Sequence, residues 1–207
     1  MDIITWESDK HIQINDLNPD DLKNDPSFWR DIQNKYAGYE IDFCYHNCEI
    51  PVEFIAEIGA ALLESCVETR LVQQNFTPIC RFEPTLVTND NLSTFKALHD
   101  KANPGMFWTS EKISQDLSRW NIYMCEDSYV MMSLWSDVSE IFALEATNET
   151  TGAALLSAAA KFAFETVKTG VLFMIDDDAI IHAKAAQSIG FVECGKYIAY
   201  RGIVKNA

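Results

Sequence analysis

The sequence predicts an α/β chain of the α+β kind: a mixed, mostly antiparallel sheet flanked by helices, with a smaller α/β subdomain at the N-terminal end. Three observations carry this. From Thr85 on, strand-like and helix-like runs follow one another in the order β-α-α-β-β-β-α-β-α-β. Three of those strands arrive in quick succession with tight polar turns between them, as in an antiparallel meander. The 207 residues are 48% hydrophobic and 12% aromatic, enough for a real core but short for two full domains.

The early elements are compact. His11 to Leu17 alternates apolar and polar like a short strand. Asp25-Pro26-Ser27 reads as a helix start, with Asp25 as cap and Pro26 first in the helix, which runs to about Tyr36. Glu40 to Tyr45 alternates again. Pro51 opens what reads as one long helix, IPVEFIAEIGAALLESCVETRL, with Val52, Ile55, Ile58 or Gly59, Leu62 and Cys66 on one face. Thr77 to Phe82 reads as a strand. The boundary is placed at Phe82-Glu83-Pro84, giving a 1–83 subdomain and an 84–207 domain.

The later elements are clearer. Thr85 to Val87 is a brief strand, and Asp90 or Asn91 caps a helix through Asp100. Ala102-Asn103-Pro104-Gly105 is a turn, after which Thr109 or Ser110 caps a helix to about Trp120. The meander strands are Asn121 to Cys125, Tyr129 to Trp135 and Glu140 to Ala146. Thr150 or Thr151 starts a helix to about Lys168, with Gly170 as its C-cap glycine. Val171 to Ile175 is continuously apolar, as in a strand covered on both faces. Asp178 caps a short helix ending near Ser188, and Cys194 to Arg201 is the last strand.

Charge and cysteine content narrow the function classes. A formal net charge of -15 repels phosphate backbones and anionic lipid, so neither nucleic acid nor a membrane surface is expected as a partner. It favours solubility and, weakly, cationic small molecules or basic peptides. No window approaches a membrane span of about 20 apolar residues. The six cysteines form no CxxC pair. Cys44, His46 and Cys48 have a spacing that could seed a metal site, but no second cluster completes four ligands, so buried reduced thiols and no metal are expected. The N-terminal MDIITWESDK has neither a basic region nor an apolar run, so no secretory leader is expected and a cytoplasmic protein is.

Two segments carry a resemblance. Asn148 to Leu156 (NETTGAALL) stands between the third meander strand and a helix, and Ser188-Ile189-Gly190-Phe191 ends the last helix. Together with the element order they resemble the GCN5-related N-acetyltransferase (GNAT) superfamily. There the first segment is the pyrophosphate loop, R/Q-x-x-G-x-G/A, and the second is the "kLGF" segment. Aligned on Leu155-Leu156, the family's Arg/Gln falls on Thr147, its first glycine on Thr150 and its second on Gly152. Gly59-Ala60-Ala61-Leu62-Leu63 echoes Gly152 to Leu156, so the N-terminal part reads either as a reduced copy of the same fold or as a chance helix-friendly pentamer.

The resemblance implies acetyl-CoA as acyl donor and a primary amine as acceptor. It implies that Leu144, Ala146, Thr147, Asn148, Glu149, Thr150, Thr151, Gly152, Ala153 and Ala154 contact the donor: backbone groups of the strand for the pantetheine amides, and helix N–H groups for the pyrophosphate. His182 faces either the donor or solvent. The family's catalytic base is often a Glu on the matching strand, here Glu140 first and Glu145 second, on opposite faces if the strand is regular. The family's Tyr acid falls on Ala186 and its Asn on Ala179, leaving His182 and Lys184 as alternatives for the acid and Tyr197 and Tyr200 as further ones that otherwise read as core or edge residues. Met106, Phe107, Trp108 and Trp120 line the acceptor groove or are ordinary core. An alternative in keeping with these departures is a catalytically silent acyl-CoA-binding or interaction module. A homodimer is left open.

Overall fold

The computed structural model describes residues 1–134 and 136–206. Trp135, expected to end a meander strand, lies outside them. In chain order the elements are β1 (Asp2–Trp6), β2 (His11–Asn15), α1 (Pro19–Asn24), α2 (Phe28–Tyr36), β3 (Glu40–His46), α3 (Val52–Ile58), β4 (Ala61–Leu71), β5 (Thr85–Leu86), α4 (Leu92–Ala102), α5 (Ser110–Gln115), β6 (Trp120–Cys125), β7 (Ser128–Ser133), β8 (Val138–Glu145), α6 (Glu149–Glu165), β9 (Gly170–Asp176), α7 (Ile180–Ser188) and β10 (Val192–Ile203). They form two compact units. Met1–Val67 with Gly195–Ala207 is the first, and Glu68–Cys194 the second. Residues 68–83, expected in the N-terminal subdomain, thus lie in the second unit, and the chain from Gly195 on lies in the first.

In the first unit β1 and β2 are antiparallel, β2 and β3 parallel, and β3 and β10 antiparallel. Asn18 caps α1 by accepting from the Asp20 and Asp21 amides, while Asp21 returns a bond to the Asn18 amide. Sequence reading missed this helix. Asp25 closes α1 rather than opening α2, and accepts from the Ser27 amide and hydroxyl. The core gathers Ile12, Ile14, Phe28, Ile32, Tyr36, Ile41, Phe43 and Tyr45. On the sheet, buried His11 sets Nδ1 3.2 Å from Glu40 and Nε2 3.1 Å from Asp42. Arg201 donates to both oxygens of Asp42 at 2.7 Å. Burial alone would raise the Asp42 carboxyl, but hydrogen bonds from Arg201 and His11 outweigh it and hold it below the usual carboxylate range.

The long helix expected from Pro51 is a correction. Gly59 stops α3 in the left-handed conformation (φ 74°), its N–H reaching the Ala56 and Ile55 carbonyls, and the chain continues as β4. The segment ALLESCVETRL has good helix propensity, but pairing between strands overrides a local preference worth only tenths of a kcal/mol per residue. The pentamer echo falls with it: Gly59 to Leu63 spans a helix end and a strand start, whereas Gly152 to Leu156 lies inside α6.

The second unit has the expected meander. β6, β7 and β8 are successively antiparallel, β5 pairs with β6, and α6 crosses over to place β9 parallel to β8. Thr69 of β4 donates its hydroxyl to the Phe173 carbonyl of β9 at 2.8 Å. One core, with Leu144, Leu155, Leu156, Phe173, Ala185 and Ile189, lies under α6 and α7. The other, with Phe95, Ile113, Trp120, Tyr129 and Ala143, lies under α4 and α5. Residues 77–82 are not a strand; the loop is tied down by Thr77 N–H to the Ile189 carbonyl (3.0 Å) and Ile79 N–H to the Ser157 hydroxyl (2.9 Å). Gly170 opens β9 instead of capping α6, whose end is turned by Val167 at φ 63°. Gly190 has φ 104°, and a Cβ there would stand 2.0 Å from the Asn75 carbonyl oxygen, so no other residue fits.

Candidate functional site

The site begins with an irregularity in β8. Its pairing with β7 runs Glu145 to Tyr129, Leu144 to Val130 and Ala143 to Met131, then slips so that Ile141 faces Met132. Phe142 is the extra residue of a β-bulge. The bulge changes which way side chains point. Ile141 and Leu144, three apart, both join the α6/α7 core, while Phe142 and Ala143 both belong to the α4/α5 side. Alternation outward from these positions puts Glu140 and Glu145 on the same α4/α5 face. The expectation that they point to opposite faces held only for a regular strand and is corrected here.

On its other side, β8 pairs with β9 from Val138/Gly170 to Ile141/Phe173 and no further among the described residues. β8 itself runs on to Glu145. The stretch from Phe142 to Glu145 therefore lies outside the ladder with β9, next to the residues that lead into α6. Strand and helix join at Ala146-Thr147-Asn148. The Asn148 side chain accepts from the Thr151 amide at 3.0 Å and caps α6; Thr150 or Thr151 was expected to start the helix. The amides of Glu149 and Thr150, one residue in front of this bond, belong to the first turn, where helix N–H groups have no intrahelical acceptor. Thr147, Asn148 and Glu149 are exposed, Ala146 and Thr150 half-buried, and Leu144 and Thr151 to Ala154 buried.

Gly152 works through packing. A Cβ there would stand 3.0 Å from the Ala185 Cβ and 3.2 Å from the Ala146 Cβ, so its absence lets α6 lie close on α7 and the end of β8. Ala153 and Ala154 extend the close contact. His182 on α7 is half-buried, its ring 6.5 Å from that of Phe173, the last β9 residue in the ladder with β8. Burial lowers the His182 pKa, with Asp176 opposing. Ala186 is buried and Ala179 precedes α7, so neither supplies a side-chain acid; Lys184 is exposed. Tyr197 and Tyr200 belong to the first unit. Tyr197 donates to the Cys44 sulfur at 3.2 Å, and Tyr200 packs on Tyr45.

Glu145 stands at the end of a buried polar chain that sequence reading missed. His99 of α4 has Nε2 2.8 Å from the Trp108 carbonyl, which only an N–H can satisfy. Its Nδ1 therefore accepts from the Tyr129 hydroxyl at 2.9 Å. The Asn103 amide donates to the same hydroxyl oxygen at 2.6 Å and also bonds Glu145. Burial raises the Glu145 carboxyl above its ordinary value, with the Asn103 bond opposing. Burial likewise pushes the Tyr129 phenol up, keeping it a neutral donor.

Around the bulge stand aromatic rings. Trp120 is 5.3 Å from Phe142 at 87° and 5.3 Å from Trp108 at 70°, and Trp108 is 6.5 Å from Phe142 at 89°. Phe107 lies 5.2 Å from Trp108, and Met106 packs against the same core.

No family model matches the sequence, and no curated protein does. Solved structures do match. A GCN5-related N-acetyltransferase from Sphaerobacter thermophilus superposes with TM-score 0.64 over 100% of this chain and 76% of its own, at 11% identity. One from Kribbella flavida gives 0.63 over 92% and 80%, at 9% identity. A tandem GNAT protein from the clavulanic acid biosynthesis pathway gives 0.59 over 96% and 76%, at 10% identity. The fold of this chain is that of the GNAT N-acetyltransferases. The likeness reaches beyond the last 120 residues or so that carry the sequence resemblance.

Proposed function

We propose that this chain is an acyl-CoA-dependent N-acyltransferase that moves an acetyl group from acetyl-CoA to a primary amine. The observation that carries the reading is the early end of the β8–β9 ladder at Ile141/Phe173, beside a strand that runs straight into the N-terminus of α6. Strand backbone at Phe142 to Glu145 suits the two amides of a pantetheine arm. The first-turn amides of Glu149 and Thr150 suit a pyrophosphate. Leu144, Ala146, Thr147 and Asn148, with Thr151 to Ala154 behind them, form the rest of that wall, and His182 stands on the α7 side.

The chemistry asks little more of this chain. The acceptor nitrogen attacks the thioester carbonyl, the carbon–sulfur bond breaks, and the proton lost by the amine goes to Glu140 or Glu145, directly or through water. A backbone N–H of β8 steadies the oxyanion. The thiolate takes its proton from water, since Ala186 offers none. A carboxylate raised by burial, such as Glu145, is a better base at neutral pH than an ordinary one. No helix among the described residues is long and apolar enough to cross a membrane, and none of the six cysteines is in a disulfide, which suits a reducing cytosol.

Thr147 in place of a basic or amide side chain, and acidic Glu149 at the first turn, favour a second reading: a silent acyl-CoA-binding or interaction module. Calorimetric titration with acetyl-CoA, with 3'-dephospho-CoA alongside, tests the donor site. Saturable micromolar binding supports it, and none at high ligand sinks the enzyme reading in favour of an interaction module. Turnover of an amine panel separates enzyme from module, with Glu140→Gln and Glu145→Gln as controls.

A further inference from the structure

The buried chain that ends at Glu145 is fixed in one direction. His99 spends its Nε2–H on the Trp108 carbonyl at 2.8 Å, so its Nδ1 takes the Tyr129 hydroxyl hydrogen at 2.9 Å. The Tyr129 oxygen can then only accept. Its neighbour at 2.6 Å must therefore be an N–H, which puts Nδ2 of Asn103, and not the amide oxygen, on that side. An amide nitrogen carries two hydrogens. One lies on Tyr129, and the other is left for Glu145. The His99 carbonyl is 3.5 Å from the same nitrogen, but the Asn103 backbone N–H already holds that carbonyl at 2.9 Å.

The backbone of Asn103 is held as firmly. It is the C-cap residue of α4, with its N–H on the His99 carbonyl and its own carbonyl accepting the Met106 N–H at 3.2 Å. Those bonds close the helix without any side chain. The side chain bridges β7 and β8 instead, where Tyr129 and Glu145 stand opposite each other in register. No cation stands against Glu145 among the described residues. Burial, which disfavours its charged form, and the Asn103 bond, which favours it, are what act on the carboxyl. The other charged group near Tyr129 is Asp100 of α4, which accepts from the Ser110 N–H at 3.3 Å and its hydroxyl at 2.7 Å.

We infer that Asn103 is a positioning residue for acyl transfer: locked by Tyr129 and His99, its amide hydrogen holds Glu145 as the carboxylate that takes the proton of the attacking amine. The inference rests on the transferase reading and chooses between its two candidate bases. The proton lost by nitrogen forms the O–H bond of a Glu145 carboxylic acid, which returns it to water once the product amide has left. A chain that only fastened α4 to the sheet would change stability and nothing else.

Two readouts on the full chain test it. The first is carboxyl carbon NMR of glutamate-labelled protein, with the Glu145 signal identified by its loss in Glu145→Gln; it needs neither acetyl-CoA nor turnover. The second is the pH dependence of kcat/KM for acetyl-CoA with n-propylamine, benzylamine and tyramine as acceptors. Asn103→Leu keeps the volume of the side chain and loses the donor. It should raise the pH at which Glu145 titrates and carry the acid-side limb of the rate profile up with it, lowering kcat/KM about tenfold on that side and little on the plateau. Tyr129→Phe leaves the Asn103 amide unanchored and should act in the same direction to a smaller extent; it serves as the test if Asn103→Leu melts too low to assay. A limb that stays in place while the Glu145 titration moves overturns the inference, leaving Glu140 as the base and the transferase reading intact. A Glu145 titration that moves in neither variant overturns the positioning role itself. If the titration moves but the unaltered chain turns over none of the amines, the transferase reading falls and the chain is a structural tie.

Discussion

The two units use the same residue types to opposite ends. In the first, His11, Glu40, Asp42 and Arg201 lie on adjacent strands and bond one another, with both oxygens of Asp42 gripped at 2.7 Å by the Arg201 fork. In the second, Glu145 ends a hydrogen-bonded chain where β8 still pairs with β7 but no longer with β9, and burial lifts its carboxyl instead of lowering it. A carboxylate closed between a guanidinium and a buried imidazole is structure. One desolvated beside an open strand edge is available for proton transfer.

The largest effect expected from any substitution is at Gly190. Alanine there puts a Cβ 2.0 Å from a backbone oxygen at φ 104°, so Gly190→Ala should lose about 4 kcal/mol or fail to fold, read by denaturant unfolding. A folded, stable G190A would show that the junction of α7 and β10 is not as described.

Breaking the first unit's network comes next. Asp42→Asn leaves Arg201 and His11 facing a neutral group and should cost about 3 kcal/mol. The pH dependence has a definite sign. Asp42 titrates lower folded than unfolded, so the stability it contributes is complete above the ordinary carboxylate range and is lost as pH falls through its folded value. Asp42→Asn should flatten this acid limb. Glu145 has the opposite sign, because its raised carboxyl makes the fold favour protonation, so Glu145→Gln should remove a stability loss that grows as pH rises through that raised value. The same variant should remove the acid-side limb of any pH–rate profile if Glu145 is the base, and leave it in place if Glu140 is.

Smaller effects sharpen the picture of α6. Gly152→Ala gains about 1 kcal/mol of helix propensity but crowds Ala185 and Ala146, for a net loss of about 1 kcal/mol that Ala185→Gly should relieve. Val167 is an exposed β-branched residue at φ 63°, and Val167→Gly should stabilise by about 1 kcal/mol in thermal melts.

What the sequence made legible follows this division. From β5 to β9 neighbours in sequence are neighbours in the sheet, so the meander and the crossover helix could be read locally. The first unit recruits β10 from the far end of the chain, and β4 is a strand only because others pair with it; its local signal was helical. Within the site, the order strand-loop-helix was visible. The bulge at Phe142 was not, because a register slip is a property of two strands. Neither was the contact of His99 with Tyr129, thirty residues apart in sequence. Missing the bulge is what set Glu140 and Glu145 on opposite faces.

The open edge of β8 and the first turn of α6 are proposed to form an acyl-CoA site. Amide hydrogen exchange with and without saturating acetyl-CoA tests it most directly. The expected result is added protection from Phe142 to Thr151, with the amides of the first unit's β2 and β3 unchanged. Exchange that is unaltered across Phe142 to Thr151 while the ligand demonstrably binds would contradict it.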